Sequence, residues 1–114
     1  MTTRVVCAAD IAAAAGGRAE VIGIYTPTYL GTRAAPRPGT VLVHVAVTLD
    51  DGTRVLLEPP WHGAARRTSE ERAVYDGQRV RAIGTLFATV PEESDGAATP
   101  RLPCLVAVEL IAAG

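Results

Sequence analysis

The chain has 114 residues and a mass of 11.9 kDa, which predicts one domain with enough buried surface for a core. Hydrophobic residues make up 48% and charged residues 20%, a balance that excludes intrinsic disorder. Eleven basic residues against twelve acidic ones leave a net charge of -1, so no bulk attraction to nucleic acid or anionic membrane is expected.

No apolar run reaches the roughly 18 residues of a membrane helix. The N-terminus lacks a compact apolar core of the signal-peptide type, so a cytoplasmic protein is expected. Every basic residue is Arg, with no Lys and no Asn, and Ala is abundant. That bias fits a GC-rich genome and is weak evidence for phosphate recognition. Cys7 and Cys104 lie near opposite ends and form no CxxC motif. A disulfide between them would contribute about 4–5 kcal/mol in the chain-entropy model; two separate thiols are the expectation for a cytoplasmic protein.

In chain order, an Ala-rich segment over residues 8–16 predicts a short helix, with Asp10 capping its start and Gly16-Gly17 its stop. Val21, Ile22, Ile24 and Tyr25 predict a strand, with Gly23 as a bend or bulge and Pro27 making continuation irregular. Residues 31–39, with two Pro and two Gly, predict a loop. From Val41 to Leu49 the valines at 41, 43, 45 and 47 share one face, and Leu42, His44, Ala46 and Thr48 the other, the mark of a half-buried strand. Asp50-Asp51-Gly52 predicts a hairpin turn, with Thr53–Glu58 as the returning strand.

Pro59-Pro60 ends that strand and leads into Trp61, His62 and Gly63. Thr68 or Ser69 caps a second short helix, Glu70 and Glu71 occupy its first turn, and Asp76-Gly77 stops it. Arg79–Phe87 alternates as a strand, residues 91–101 predict a polar loop, and Leu105–Ile111 is the closing strand.

This order resembles the OB-fold, a five-stranded Greek-key barrel with a helix between its third and fourth strands. The resemblance rests on the first strand, Gly17–Tyr25, on the Val41–Glu58 hairpin, and on Tyr75-Asp76-Gly77-Gln78-Arg79-Val80-Arg81-Ala82-Ile83-Gly84-Thr85-Leu86. It covers about residues 17–112, with the Ala-rich helix as an added extension over about 8–16. The Leu57-Glu58-Pro59-Pro60-Trp61 stretch is similar to one in small uncharacterised proteins of GC-rich bacteria, which brings no activity with it. The expected class is mainly β, a small five-stranded OB-like barrel; another small barrel or an open sandwich is the alternative.

Catalytic motifs are lacking: there is no GxSxG, no GxxxxGK[ST] and no HExxH. Cys7 or Cys104 with His44 or His62 has no spacing that prearranges a nucleophile pair or a zinc site. Glu92, Glu93 and Asp95 read as a solvated acidic loop. No cofactor or metal is expected, and no enzymatic activity.

OB-folds bind along their second and third strands and adjoining loops, so the resemblance implies a site at Tyr25, Tyr29, Arg33 and Arg37, joined by His44 and Arg54. The plain alternative for Tyr25 and Tyr29 is packing at the edge of the core with the hydroxyl outward. Trp61 in its Pro-rich corner is either a cap on the barrel end or an interface anchor, with His62, Arg66 and Arg67 as a polar rim. These eight residues, Tyr25, Tyr29, Arg33, Arg37, Trp61, His62, Arg66 and Arg67, are the expected binding site. The leading expectation is a non-enzymatic module that engages a protein partner, as an accessory subunit or immunity-type inhibitor. The alternative is a single-stranded DNA- or RNA-binding protein. A strand edge left by incomplete closure would allow a homodimer.

Overall fold

A computed structural model describes residues 2–28, 44–58, 67–89 and 102–114. The elements run β1 (Thr3–Val5), α1 (Ala8–Ala14), β2 (Arg18–Thr28), β3 (His44–Thr48), β4 (Arg54–Leu57), α2 (Ser69–Tyr75), β5 (Arg79–Phe87) and β6 (Cys104–Ala113). The sheet order is β1-β2-β3-β4-β6-β5, and β2 also pairs with β5, which closes β2 to β6 into a five-stranded OB-like barrel. All barrel pairings are antiparallel except β4 with β6. The helix α2 stands between the third and fourth barrel strands, as expected.

The alternation in the sequence sorts the barrel. Val21, Tyr25, Val45, Val47, Val55, Leu57, Val80, Ala82, Leu86 and Leu105 point inward and are buried. The hairpin forms at Asp50–Gly52: the Gly52 N–H donates to the Leu49 carbonyl at 2.9 Å, and Gly52 takes the left-handed φ of +88° that this turn requires. The second helix is capped by Thr68, whose hydroxyl accepts from the Glu71 N–H at 3.2 Å, and Gly77 at φ +75° follows its stop.

Four details of the strands differ from expectation. First, β1 is an added strand, paired parallel with β2 over Ala19–Val21, on the side that β3 takes up only from Ile24. Three residues are too short to show a period. Second, β2 runs on through Pro27, opposite Val45. Tyr25 turns its N–H and C=O toward Gln78 and Gly77, so alternation aims the Pro27 nitrogen to the same side, beyond the start of β5. No ladder bond is lost there.

Third, β3 is buried on both faces rather than one. Ala46, Leu56 and Cys104 form a row across β3, β4 and β6 outside the barrel, with Leu102 and Val106 packed against them. Fourth, β6 begins at Cys104 and extends to Ala113, with a bulge: Ile83 pairs with Leu110 and Thr85 with Val106. Ala107 in the bulge has φ +54°. Gly84 faces it, where a Cβ would stand 2.8 Å from the Val106 carbonyl oxygen.

The first helix has Cys7 as its N-cap, not Asp10. Asp10 reaches back to the Val6 N–H at 3.0 Å, and Asp51 of the hairpin turn accepts from the Ala8 N–H at 2.9 Å. Ile11 and Ala14 of this helix join the core. Residues 41–43 of the expected Val41–Leu49 strand and the 91–101 loop lie outside the described residues.

Candidate functional site

Two of the expected site residues, Tyr25 and Arg67, converge on a carboxylate that sequence reasoning placed only in a helix turn. The Tyr25 hydroxyl donates to Glu71 Oε2 at 2.7 Å. Arg67 grips the same carboxylate with both edges of its guanidinium, Nε to Oε2 at 2.8 Å and Nη2 to Oε1 at 2.7 Å. The Arg67 and Glu71 side chains are only 16% and 17% exposed, so the pair is poorly screened by water.

Local sequence explains the placement. Thr68-Ser69-Glu70-Glu71 is a capping-box pattern. One half forms, from the Glu71 N–H to the Thr68 hydroxyl. The carboxylate that would close the box turns instead to Arg67 and Tyr25. Arg67 stands just before the cap, four residues from Glu71, within one turn's reach. Tyr25 itself is fully buried, with its ring centroid 6.1 Å from that of Tyr75 at a tilt of 42°. The Tyr75 hydroxyl in turn donates to the Ile111 carbonyl at 3.3 Å.

The electrostatics follow from that geometry. Burial, then the bond and charge of Glu71, push the Tyr25 hydroxyl far above its ordinary range against the opposing Arg67 and Arg72 charges. Burial disfavours the charged Glu71, but its hydrogen bonds from Arg67 and Tyr25 outweigh burial and hold it below the ordinary glutamate value. The bond to Glu71 raises Arg67 despite burial, with a smaller pull from Glu58. The cluster is an ionised pair with a neutral phenol, fixed in place and unsuited to proton transfer near neutral pH.

Glu58 was not singled out by the sequence beyond its place in a strand. It is 5% exposed and has φ +70°. Its Oε1 accepts from the Val108 N–H of the β6 bulge at 2.7 Å, and its own N–H donates to the Leu105 carbonyl at 2.8 Å. Burial, helped by the Glu58 charge, pushes the Cys104 thiol up to about 12. Both cysteines are free thiols, Cys7 partly exposed and Cys104 buried.

Tyr29, Arg33, Arg37, Trp61, His62 and Arg66 lie outside the described residues. His44 is 9% exposed on β3, and Arg54 is exposed on β4. Among the described residues no group of three His, Cys, Asp or Glu could hold a metal ion, and no helix is long and apolar enough to cross a membrane. An open depression of about 340 Å³ lies beside Thr2, Arg4 and Glu20, where Arg4 and Glu20 pair at 3.4 Å. Comparison of the chain with family models, with curated proteins and with solved structures found no match.

Proposed function

We propose that the protein is a non-enzymatic binding module of the OB-fold superfamily that engages a protein partner. The observation that carries this reading is the Tyr25–Glu71–Arg67 cluster. Tyr25 lies near the end of β2, just before the segment with Tyr29, Arg33 and Arg37. Arg67 ends the segment with Trp61, His62 and Arg66. Glu71 therefore ties the roots of both candidate segments to one point on a rigid barrel. Fixed roots lower the ordering cost of a contact made by both segments.

The same cluster weighs against the nucleic-acid reading. Tyr25 has no exposed ring to stack on a base, and Arg67 is already neutralised by Glu71. On β3 and β4 the outward-facing His44, Ala46 and Leu56 are buried, as is Glu58 just past β4.

Titration with labelled mixed-sequence single-stranded DNA and RNA, following Trp61 fluorescence at low and moderate salt, tests the choice. The protein-binding reading expects no change at low salt. Salt-sensitive micromolar binding that weakens when Arg33 and Arg37 are neutralised would overturn it. For a co-purifying partner, Trp61→Ala is expected to cost affinity while the melting temperature holds. A collapsed melting temperature would make Trp61 a core residue.

A further inference from the structure

The outer face of β2, β5 and β6 carries an arrangement that the Tyr25–Glu71–Arg67 cluster does not use. The register lays Ile24 beside Arg79, Ile22 beside Arg81 and on to Ala112, and Glu20 beside Ile83. Neighbours on one face stand about 5 Å apart across strands and about 7 Å apart along them. Arg81 thus has Ile22 and Ala112 across from it and Ile83 and Arg79 along β5, with Ile24 and Glu20 on the diagonals. Ile24 is 40% exposed, Arg79 and Arg81 are exposed, and Ile22 and Ile83 are partly so.

The other arginines of this region are compensated within the chain. Arg79 pairs with Asp50 at 3.2 Å, Arg18 with Glu109 at 2.9 Å, and Arg4 with Glu20 at 3.4 Å. Among the described residues the Arg81 side chain has no ion pair and no hydrogen bond. One guanidinium without an ion-pair partner stands beside the isoleucines of this face.

We propose that this face binds a segment of a protein partner in which one Asp or Glu is flanked by apolar side chains. The carboxylate meets the Arg81 guanidinium, and the apolar side chains cover Ile22, Ile24 and Ile83. The proposal rests on the binding-module reading and adds the chemistry of the partner. Charge decides the occupant. A nucleic-acid backbone needs a track of free cations, and here it would have to displace Asp50, Glu109 and Glu20 to find one. A two-fold dimer through this face would set the two Arg81 surroundings against each other, like charge to like. A single carboxylate among apolar groups matches both the one free charge and the isoleucines.

The test uses the whole chain and a displayed library of short random peptides. Enriched peptides are expected to carry Asp or Glu beside Leu, Ile, Val or Phe. Arg81→Gln should weaken them about tenfold or more, as loss of a charged anchor does. Arg81→Glu should abolish binding, and a peptide with its acid changed to Arg should bind that variant again. Arg81 is exposed, so both variants should melt with the wild type. Peptides that bind Arg81→Glu as well as wild type, or no enrichment, would overturn the proposal. So would sedimentation showing a dimer that Arg81→Glu dissociates, or single-stranded DNA competing for the face. Trp61→Ala run beside Arg81→Glu separates the two ideas. Loss of a co-purifying partner in Trp61→Ala alone overturns this face and leaves the module. Arg81-dependent peptide binding without any such loss supports this face and counts against the Trp61 site.

Discussion

Replacing Tyr25 by Phe removes one oxygen and keeps the ring in the core. The Glu71 carboxylate then loses its 2.7 Å bond from the phenol and keeps the two from Arg67. A hydrogen bond to a charged group is worth about 1.5–3 kcal/mol, and the remaining Arg67 contacts put the loss near the lower end, about 1.5–2 kcal/mol. For a chain of this length that lowers the melting temperature by about 6–8 °C. The dependence on pH sharpens the test. Glu71 is held below its ordinary value in the folded protein, so its contribution is present above the unfolded carboxylate range. It is lost as pH falls through the lowered folded value. The gap between wild type and Tyr25→Phe should therefore be full at neutral pH and narrow on acidification. Calorimetry across that range measures it. A neutral-pH difference under about 2 °C, or a gap that does not narrow in acid, would refute the assignment of Glu71 as the shared acceptor.

Gly23→Ala should cost about 3 kcal/mol, because its Cβ would overlap the Thr48 carbonyl oxygen and stand 2.9 Å from Val47 Cγ1. Gly52→Ala meets open space but keeps φ +88°, so it should cost about 1 kcal/mol; equal denaturant midpoints for the two variants would contradict this ordering. Glu58→Ala should lose about 1.5–2 kcal/mol with the Val108 bond, while Glu58→Gly should recover part of that by relaxing φ +70°. The reverse order in urea would refute the strain argument. Native-state alkylation at mildly alkaline pH, read by mass spectrometry, should label Cys7 and spare Cys104, whose thiol is buried and pushed up to about 12. Labelling of Cys104 before unfolding would overturn that burial.

Much of the barrel was legible because its signals are local. The valines at 45 and 47, the Asp-Asp-Gly turn and the Thr68 cap each act over a few residues, and the structure bears out each of them. What escaped is non-local. Ala46 and Leu56 alternate with core positions as solvent-facing residues do, and only the barrel's outer packing buries them. The bond between Tyr25 and Glu71 joins residues 46 positions apart, a distance that periodicity does not report. In a basic run Arg67 reads as part of a rim for a partner; that it turns to Glu71 depends on where the Thr68 cap and the buried Tyr25 hydroxyl place that carboxylate. The outward rows of β2 and β5 were readable as strand alternation, yet the neutralisation of Arg79, Arg18 and Arg4 depends on carboxylates from other turns and strands.

Among the described residues the parallel seam between β4 and β6 spans two pairs, Leu56 with Cys104 and Leu57 with Leu105. Every other barrel contact is longer in register. Transient opening of the closed wall is therefore expected to start at this seam, with the amides of Leu56 and Glu58 among the first barrel protons to exchange with solvent. The Glu58 carboxylate bridges the same gap to Val108, acting as a latch across the shortest join.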